Sequence, residues 1–283
     1  SLHGTVEWTM NKLSAYNKGT AAAPDPYPLY IAKTGATTPV IQPISMAPSV
    51  IVGPVVAGLD TRYIVFGTGK YLENSDKTST VQNSIYAVYD NGSTRADSSP
   101  AGTSIISSRA RLKEGTVNTT TGVVSVPGLI WGRAATDIDT TQRSGWYFDF
   151  GTSGERQINN MTIFSNSVAF GSLIPASAGA AGSCSAQGGS GKSYTVQVTT
   201  GSGSALDSSV GLLGESMVID IDSAITYTNT DPTGRRSKTT VKQILQQGSS
   251  GVTTTNTTTV TEALGRLSWR QINNYQDLKN AAE

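Results

Sequence analysis

The sequence predicts an all-β fold, and three observations predict it. The stretch from Ser144 to Gly201 holds three short apolar runs: Gly145 to Phe150, Ser167 to Ile174, and Tyr194 to Val198. Each is rich in aromatic or β-branched residues and is stopped by Gly, Pro or a Gly-Ser tract, so each has the length and make-up of a strand. Charged residues are 14% of the 283-residue chain, against about 25% in typical globular proteins. Gly, Ser and Thr stand where long helices would place Lys and Glu. Short alternating segments also recur along the whole length.

Taken in order, Gly4 to Met10 alternates with Val6, Trp8 and Met10 on one face, as a half-buried strand does. Ala21 to Pro28 is rich in Ala and Pro and reads as a loop. Leu29 to Lys33 and Gln42 to Val50 read as short strands, with Pro43 and Pro48 suited to edges because proline donates nothing to a ladder. Arg62 to Gly67 is a compact buried strand ended by Gly67-Thr68-Gly69. Ser84 to Asp90 follows, closed by Asn91-Gly92, a dipeptide that favours a hairpin. Ile105-Ile106, Ala110 to Leu112 and Val123 to Val126 are candidate strands between polar turns. Ser216 to Asp222 alternates cleanly, and Ile225 to Thr228 is a candidate partner for it. Val241 to Gln247 fits a short helix or a strand. Thr253 to Thr261 is a Thr/Asn tract, β-prone because Thr is β-branched. Gly265 to Arg270 reads as a last strand, and Asn273 to Ala282 as a short terminal helix.

Five of these segments share a small polar opening and an aromatic soon after, beginning near residues 3, 83, 144, 191 and 264. Propeller blades are four-stranded units of about 40 to 50 residues, lengthened by insertions, whereas sandwich strands are spaced more evenly. The pattern points to a β-propeller of four-stranded antiparallel blades, read as one all-β domain over residues 1–283. Five segments are few for a closed ring. The opening Ser1-Leu2-His3-Gly4 also reads as protein interior, so the chain is expected to supply later blades, with an N-terminal remainder absent.

A net charge of +1 gives no reason to expect nucleic acid, whose binding rests on clustered Lys and Arg. No run approaches the roughly 18 to 20 apolar residues of a membrane span, and none reads as a signal peptide. Cys184 is the only cysteine, so it forms no internal disulfide. Its Gly, Ser and Ala neighbours leave it a plain thiol or one half of a bridge to a segment outside the chain. The only histidine is His3, which leaves a nucleophilic triad without its base. Asp137, Asp139, Asp149 and Glu155 are the candidates for a glycosidase pair, which needs carboxyls roughly 5 to 9.5 Å apart; they read more simply as turn-forming and structural acids. Asp137-Ile138-Asp139 and Asp220-Ile221-Asp222 resemble fragments of a calcium loop but lack its Gly and distal Glu. Gly188 to Ser193 looks like a phosphate loop, yet Ala186 stands where the motif demands Gly; Gly67 to Tyr71 fails because Tyr71 replaces the required small hydroxyl. Trp8, Trp131, Trp146 and Trp269 suit core packing, with sugar stacking as the alternative. Catalytic, metal and cofactor sites are therefore left unassigned, and no cofactor is expected.

Some residues carry more than architecture. Tyr63 to Glu73 (YIVFGTGKYLE) and Gln82 to Asp90 (QNSIYAVYD), in that order, resemble a signature of the PilC/PilY family, the large tip-located adhesin and biogenesis factors of bacterial type IV pili. A second region of that family is similar to Gly145-Trp146-Tyr147, Asp149, Gly154-Glu155-Arg156, Val168, Phe170, Leu173-Ile174-Pro175, Cys184, Gly188 to Gly191 and Thr200-Gly201. Gly265 to Arg270 is similar to the family's ending, with Gln271 where an acid is usual. The matches run in order over about residues 60 to 275.

The resemblance implies part of a modified PQQ-like β-propeller with long loops, completed by the rest of its own propeller. It implies a non-enzymatic protein, extracellular at the pilus tip or outer surface of a Gram-negative bacterium. Such a protein would support pilus assembly or priming through minor pilins and adhesion to a host or surface receptor. The family's Asp-rich calcium loop has no counterpart here, nor does its Arg-Gly-Asp integrin motif, so calcium-gated retraction and integrin binding are not expected of this segment. Tyr194 to Val198 replaces the family's usual Leu-Asp and marks a distant member. The competing classes are an extracellular carbohydrate-binding propeller module and a propeller enzyme, either glycoside hydrolase or quinone-type dehydrogenase.

Overall fold

Strands account for nearly all regular structure in the computed structural model, which describes residues 29–53, 61–90, 106, 108–132, 142–176, 189–227 and 236–264. Among the described residues there is no α-helix, only two single 3-10 turns, Asn74–Lys77 and Arg109–Arg111. The chain divides into two compact units: residues 1–218 with 244–255, and residues 219–243 with 256–283.

The first unit contains β1 (Ser49–Val52), β2 (Arg62–Gly67), β3 (Ser84–Asp90), β4 (Lys113–Val117), β5 (Val123–Ser125) and β6 (Gly145–Asp149). It continues with β7 (Arg156–Gln157), β8 (Thr162–Phe164), β9 (Ser167–Leu173), β10 (Lys192–Gln197) and β11 (Ser202–Asp207). They form one eleven-stranded sheet in the order β1-β2-β3-β6-β4-β5-β11-β10-β9-β7, with β8 also on β9, and the sheet is curled into a half-barrel. Two runs of four antiparallel neighbours, β1-β2-β3-β6 and β5-β11-β10-β9, are joined through β4, which pairs parallel to β6 and antiparallel to β5.

The curl brings alternate residues of distant strands into one core. Val65 on β2, Ile85 and Ala87 on β3, and Trp146 and Phe148 on β6 share a cluster with Val168 and Phe170 on β9 and Tyr194 and Val196 on β10. Phe170 and Tyr194 stack at 4.9 Å, and Trp146 and Phe148 at 5.8 Å. Complete burial of each such side chain contributes about 1.5–3 kcal/mol. The other face of β2, β3 and β6 presents Phe66, Tyr86, Val88 and Tyr147, and these are covered by Leu29, Tyr30, Ala32 and Ile44. Burial on both faces explains why β3 reads SIYAVYD, a nearly continuous apolar run.

Several expectations change. Leu29 to Lys33 forms isolated bridges at Tyr30 and Lys33 instead of a strand, and only Ser49–Val52 of the Gln42 region joins the sheet. Pro43 and Pro48 interrupt the donors a longer ladder would need. Ala110 to Leu112 belongs largely to a 3-10 turn, and the strand begins at Lys113. Strand β3 does not pair with the next strand in sequence; its second neighbour is β6, and Asn91-Gly92 lies outside the described residues. The Gly-Ser tract after Val198 contains strand β11, which pairs along the whole of β10. Weak local propensity is overridden there by a fully paired neighbour.

The remaining strands are β12 (Leu213–Tyr227), β13 (Arg236–Gly248) and β14 (Thr253–Leu264), in the order β12-β13-β14. Ile225 to Tyr227 continues β12 and is not its partner. Residues 241–247 are strand, and the Thr/Asn tract is β14. Within the second unit, the Thr239 and Thr261 hydroxyls lie 3.1 Å apart and Lys242 Nζ donates to Asp220 Oδ1 at 2.5 Å. The segments Gly4 to Met10, Ala21 to Pro28, Gly265 to Arg270 and Asn273 to Ala282 lie outside the described residues.

Candidate functional site

Two arginines organise the polar parts of the first unit. Arg156, on β7, is buried and points into the loop after β2. Its Nε donates to Gly154 O at 2.8 Å, and its terminal nitrogens donate to Lys70 O at 2.8 Å, Asp76 O at 2.9 Å and Ser79 O at 3.0 Å. Burial pulls its pKa down from the usual arginine value. Gly69, with φ 132°, leaves the space that Arg156 Cβ occupies; Gly154, with φ 72°, would place a Cβ 2.8 Å from Ser79 O. The Asp76 carboxyl is held below the usual range by the backbone N–H groups of Glu73 and Leu72, which donate to Oδ2, with Lys70 adding to the effect. Gly67-Thr68-Gly69-Lys70 is thus a braced turn. Thr68 Oγ1 accepts from Ser84 N at 2.8 Å, and the Lys70 ammonium sits 3.0 Å from Glu73 Oε1.

Glu155 between these glycine and arginine neighbours is fully buried. Its Oε1 accepts from Ser172 Oγ at 2.6 Å and Tyr194 OH at 2.8 Å. Burial raises its pKa, opposed by those two hydroxyls and by Lys192. Tyr194 is raised in turn, first by burial and then by the Glu155 charge.

Arg109, in the turn before β4, is organised differently. Its guanidinium lies 4.3 Å from the Tyr147 ring centre and 5.3 Å from that of Tyr86. It donates to Tyr86 OH at 2.6 Å and Ser84 Oγ at 2.7 Å, and pairs with Asp149 Oδ1 at 3.0 Å. Ser84 Oγ donates to Asp149 Oδ1 and accepts from Gln42 Nε2, while Tyr86 OH donates to Gln42 Oε1 at 2.5 Å. Burial pushes Tyr86 up to about 12, against the lowering effect of Arg109 and Ser84. For Arg109, burial lowers the pKa, but Tyr86 and Asp149 outweigh it and the net direction is upward.

Arg109, Tyr147 and Asp149 of this network line a cleft of about 540 Å³ together with Val40, Val81, Gln82 and Glu114. The Asp149 side chain is 37% exposed. The cleft offers carboxylate acceptors beside an apolar rim, with Arg109 already engaged by its own partners. That is the chemistry of holding a polar or cationic group. Glu155 is not among the lining residues, and Asp149 and Glu155 have different hydrogen-bond partners.

The other candidates are placed as follows. Trp146 is buried and donates from Nε1 to Val198 O at 2.8 Å; Trp131 donates to Thr199 O at 2.6 Å and packs its ring 4.6 Å from Tyr63. Lys192, from the phosphate-loop-like sequence, lies in β10 and is paired with Asp207. Asp220 and Asp222 lie on β12, and among the described residues no group of three or more His, Cys, Asp or Glu side chains is placed to hold a metal. No helix among them is long and apolar enough to cross a membrane. His3, Trp8, Asp137, Asp139, Cys184, Gly188 and Trp269 lie outside the described residues.

Sequence reasoning missed Gln42, Ser84, Tyr86, Arg109 and Glu114 as a group because they are scattered over more than seventy positions. One signal was present. In SIYAVYD the alternation sets Ser84 and Tyr86 on the face opposite Ile85 and Ala87, a polar pair on a buried strand. No protein-family model, curated protein or solved structure matches the chain.

Proposed function

We propose that the chain is a later-blade portion of the C-terminal propeller of a type IV pilus tip factor, non-enzymatic, acting outside the cell. In this reading it supports pilus assembly or priming through minor pilins and contacts a host or surface receptor. The observation that supports it most is the Arg156 clamp. Gly154-Glu155-Arg156 and the Gly67 to Leu72 turn are separate segments of the resemblance, and Arg156 ties one to the other through the Lys70 carbonyl while also holding the Asp76 and Ser79 carbonyls of the loop that follows. Two segments distant in the sequence thus share one structural device. The all-β make-up and the aromatic side chains packed between the two four-strand antiparallel runs fit the reading at the level of fold class, while β4 joins those runs into one continuous sheet and does not leave them as separate blades.

The test is genetic. Deletion of the gene is expected to lower the number of surface pili and the adhesion of the cells, and the wild-type gene to restore both. Normal piliation and adhesion in the deletion strain overturn the proposal.

A further inference from the structure

Strand β12 stands at the end of the order β12-β13-β14, and among the described residues no strand pairs its outer edge. An edge strand presents a row of unpaired N–H and C=O groups, which proteins usually blunt with Lys, Pro or a bulge. Residues 219–227, IDIDSAITY, all within the second unit, contain neither Lys nor Pro. Ile219, Ile221 and Ile225 are 40%, 51% and 58% exposed, and strand alternation sets them on one face. Asp220 and Asp222 occupy the other face; Asp220 is engaged by Lys242 at 2.5 Å, and Asp222 is exposed.

We propose that the edge formed by residues 219–227 docks an extended segment of another protein in which apolar residues alternate with Lys or Arg. Strand addition would satisfy the open backbone groups and supply most of the affinity. The partner's apolar positions would then lie beside the isoleucine ridge, and its basic positions beside Asp222, because an added strand keeps the same two-residue period. Charge selects this occupant over a second copy of the chain. Asp220 is already paired with Lys242, Asp222 is exposed, and the segment carries no Lys or Arg, so a basic strand gains an opposite charge beside Asp222 that a second copy of this segment does not bring. The inference does not depend on the pilus reading, since it uses only the edge, the ridge and the acids.

The test uses the full chain and three labelled peptides read by fluorescence anisotropy. One alternates Lys and Val, one has the same composition with Val and Lys in separate blocks, and one alternates Glu and Val. The alternating Lys/Val peptide is expected to bind about tenfold more tightly than either control, and Ile221→Lys to weaken it about tenfold. Asp222→Lys is expected to weaken the Lys/Val peptide and strengthen the Glu/Val peptide. Both positions are exposed, and unchanged circular dichroism and thermal midpoints confirm that the variants fold. Equal binding of the three peptides overturns the proposal, as does Ile221→Lys binding like wild type. A sedimenting dimer that Ile221→Lys dissolves also overturns it, because a second copy would then occupy the edge.

Discussion

Arg156 and Arg109 are both sunk into the first unit, yet they hold different kinds of partner. Arg156 donates only to main-chain carbonyls, at Gly154, Lys70, Asp76 and Ser79. Arg109 is bound by side chains, at Ser84, Tyr86, Gln42 and Asp149, and is stacked on Tyr147. A carbonyl of a closed loop has no rotamer to change, so losing its donor leaves a buried acceptor unsatisfied. The buried hydroxyls of Ser84 and Tyr86 and the Gln42 amide can turn to one another, and the partly exposed Asp149 carboxylate can turn to water. The clamp therefore holds the main chain of a loop directly, whereas the Arg109 network joins the buried Gln42, Ser84 and Tyr86 side chains to the partly exposed Asp149.

The largest expected effect tests that contrast directly. Arg156→Ala should lower stability by about 3–5 kcal/mol, since bonds to a charged group contribute about 1.5–3 kcal/mol each and several carbonyls lose their donor together. Urea denaturation reads it, and Arg156→Lys should recover less than half because an ammonium cannot span the same fork. Arg109→Ala should cost less, roughly 1–3 kcal/mol, from lost bonds to Tyr86 and Ser84 and lost stacking. A larger loss at Arg109 than at Arg156 in the same assay would break the comparison. Gly154→Ala should cost about 1–2 kcal/mol, from a left-handed φ of 72° and the crowding of Ser79 O; a neutral result would mean the loop adapts where the clamp should forbid it.

The smallest effect sharpens the comparison through pH. Glu155 beside the clamp has a raised pKa, so the folded state binds its proton more tightly than the unfolded state does. Its contribution is complete below the ordinary Glu range and is lost as pH rises through the folded value. Asp76, with a depressed pKa, contributes above the ordinary Asp range and loses that contribution as pH falls. The stability of wild type relative to Glu155→Gln should therefore decline as pH rises above the ordinary Glu range, and relative to Asp76→Asn it should decline as pH falls below the ordinary Asp range. Flat differences in these directions in denaturation titrations would remove Glu155 and Asp76 as titrating groups beside the clamp.

Legibility differed between the two networks for a physical reason. Gly154-Glu155-Arg156 is contiguous because a left-handed glycine, a buried acid and a clamping cation act at successive positions of one turn. The Arg109 group is assembled by β3, β6 and two connecting segments. Nothing in the local sequence of Gln42 says that it will meet Arg109, although a Ser and a Tyr on one face of a buried strand were a hint.

By itself the sequence determined the all-β class and the cores of β2, β3, β6, β9 and β10. Short β-branched and aromatic runs between Gly and Pro leave the backbone few other ways to bury them. It also determined that Gly67 to Tyr71 and Gly188 to Ser193 do not satisfy a phosphate loop. The tertiary structure alone decided that β3 lies beside β6, that β4 joins the two four-strand runs, and that the Gly-Ser tract after Val198 pairs as β11. It alone decided that the isoleucines of β12 face outward, because strand alternation is the same whether the apolar face meets a core or an open side. Local pattern sets the period of a strand, and only the pairing partners set which side of it is left free.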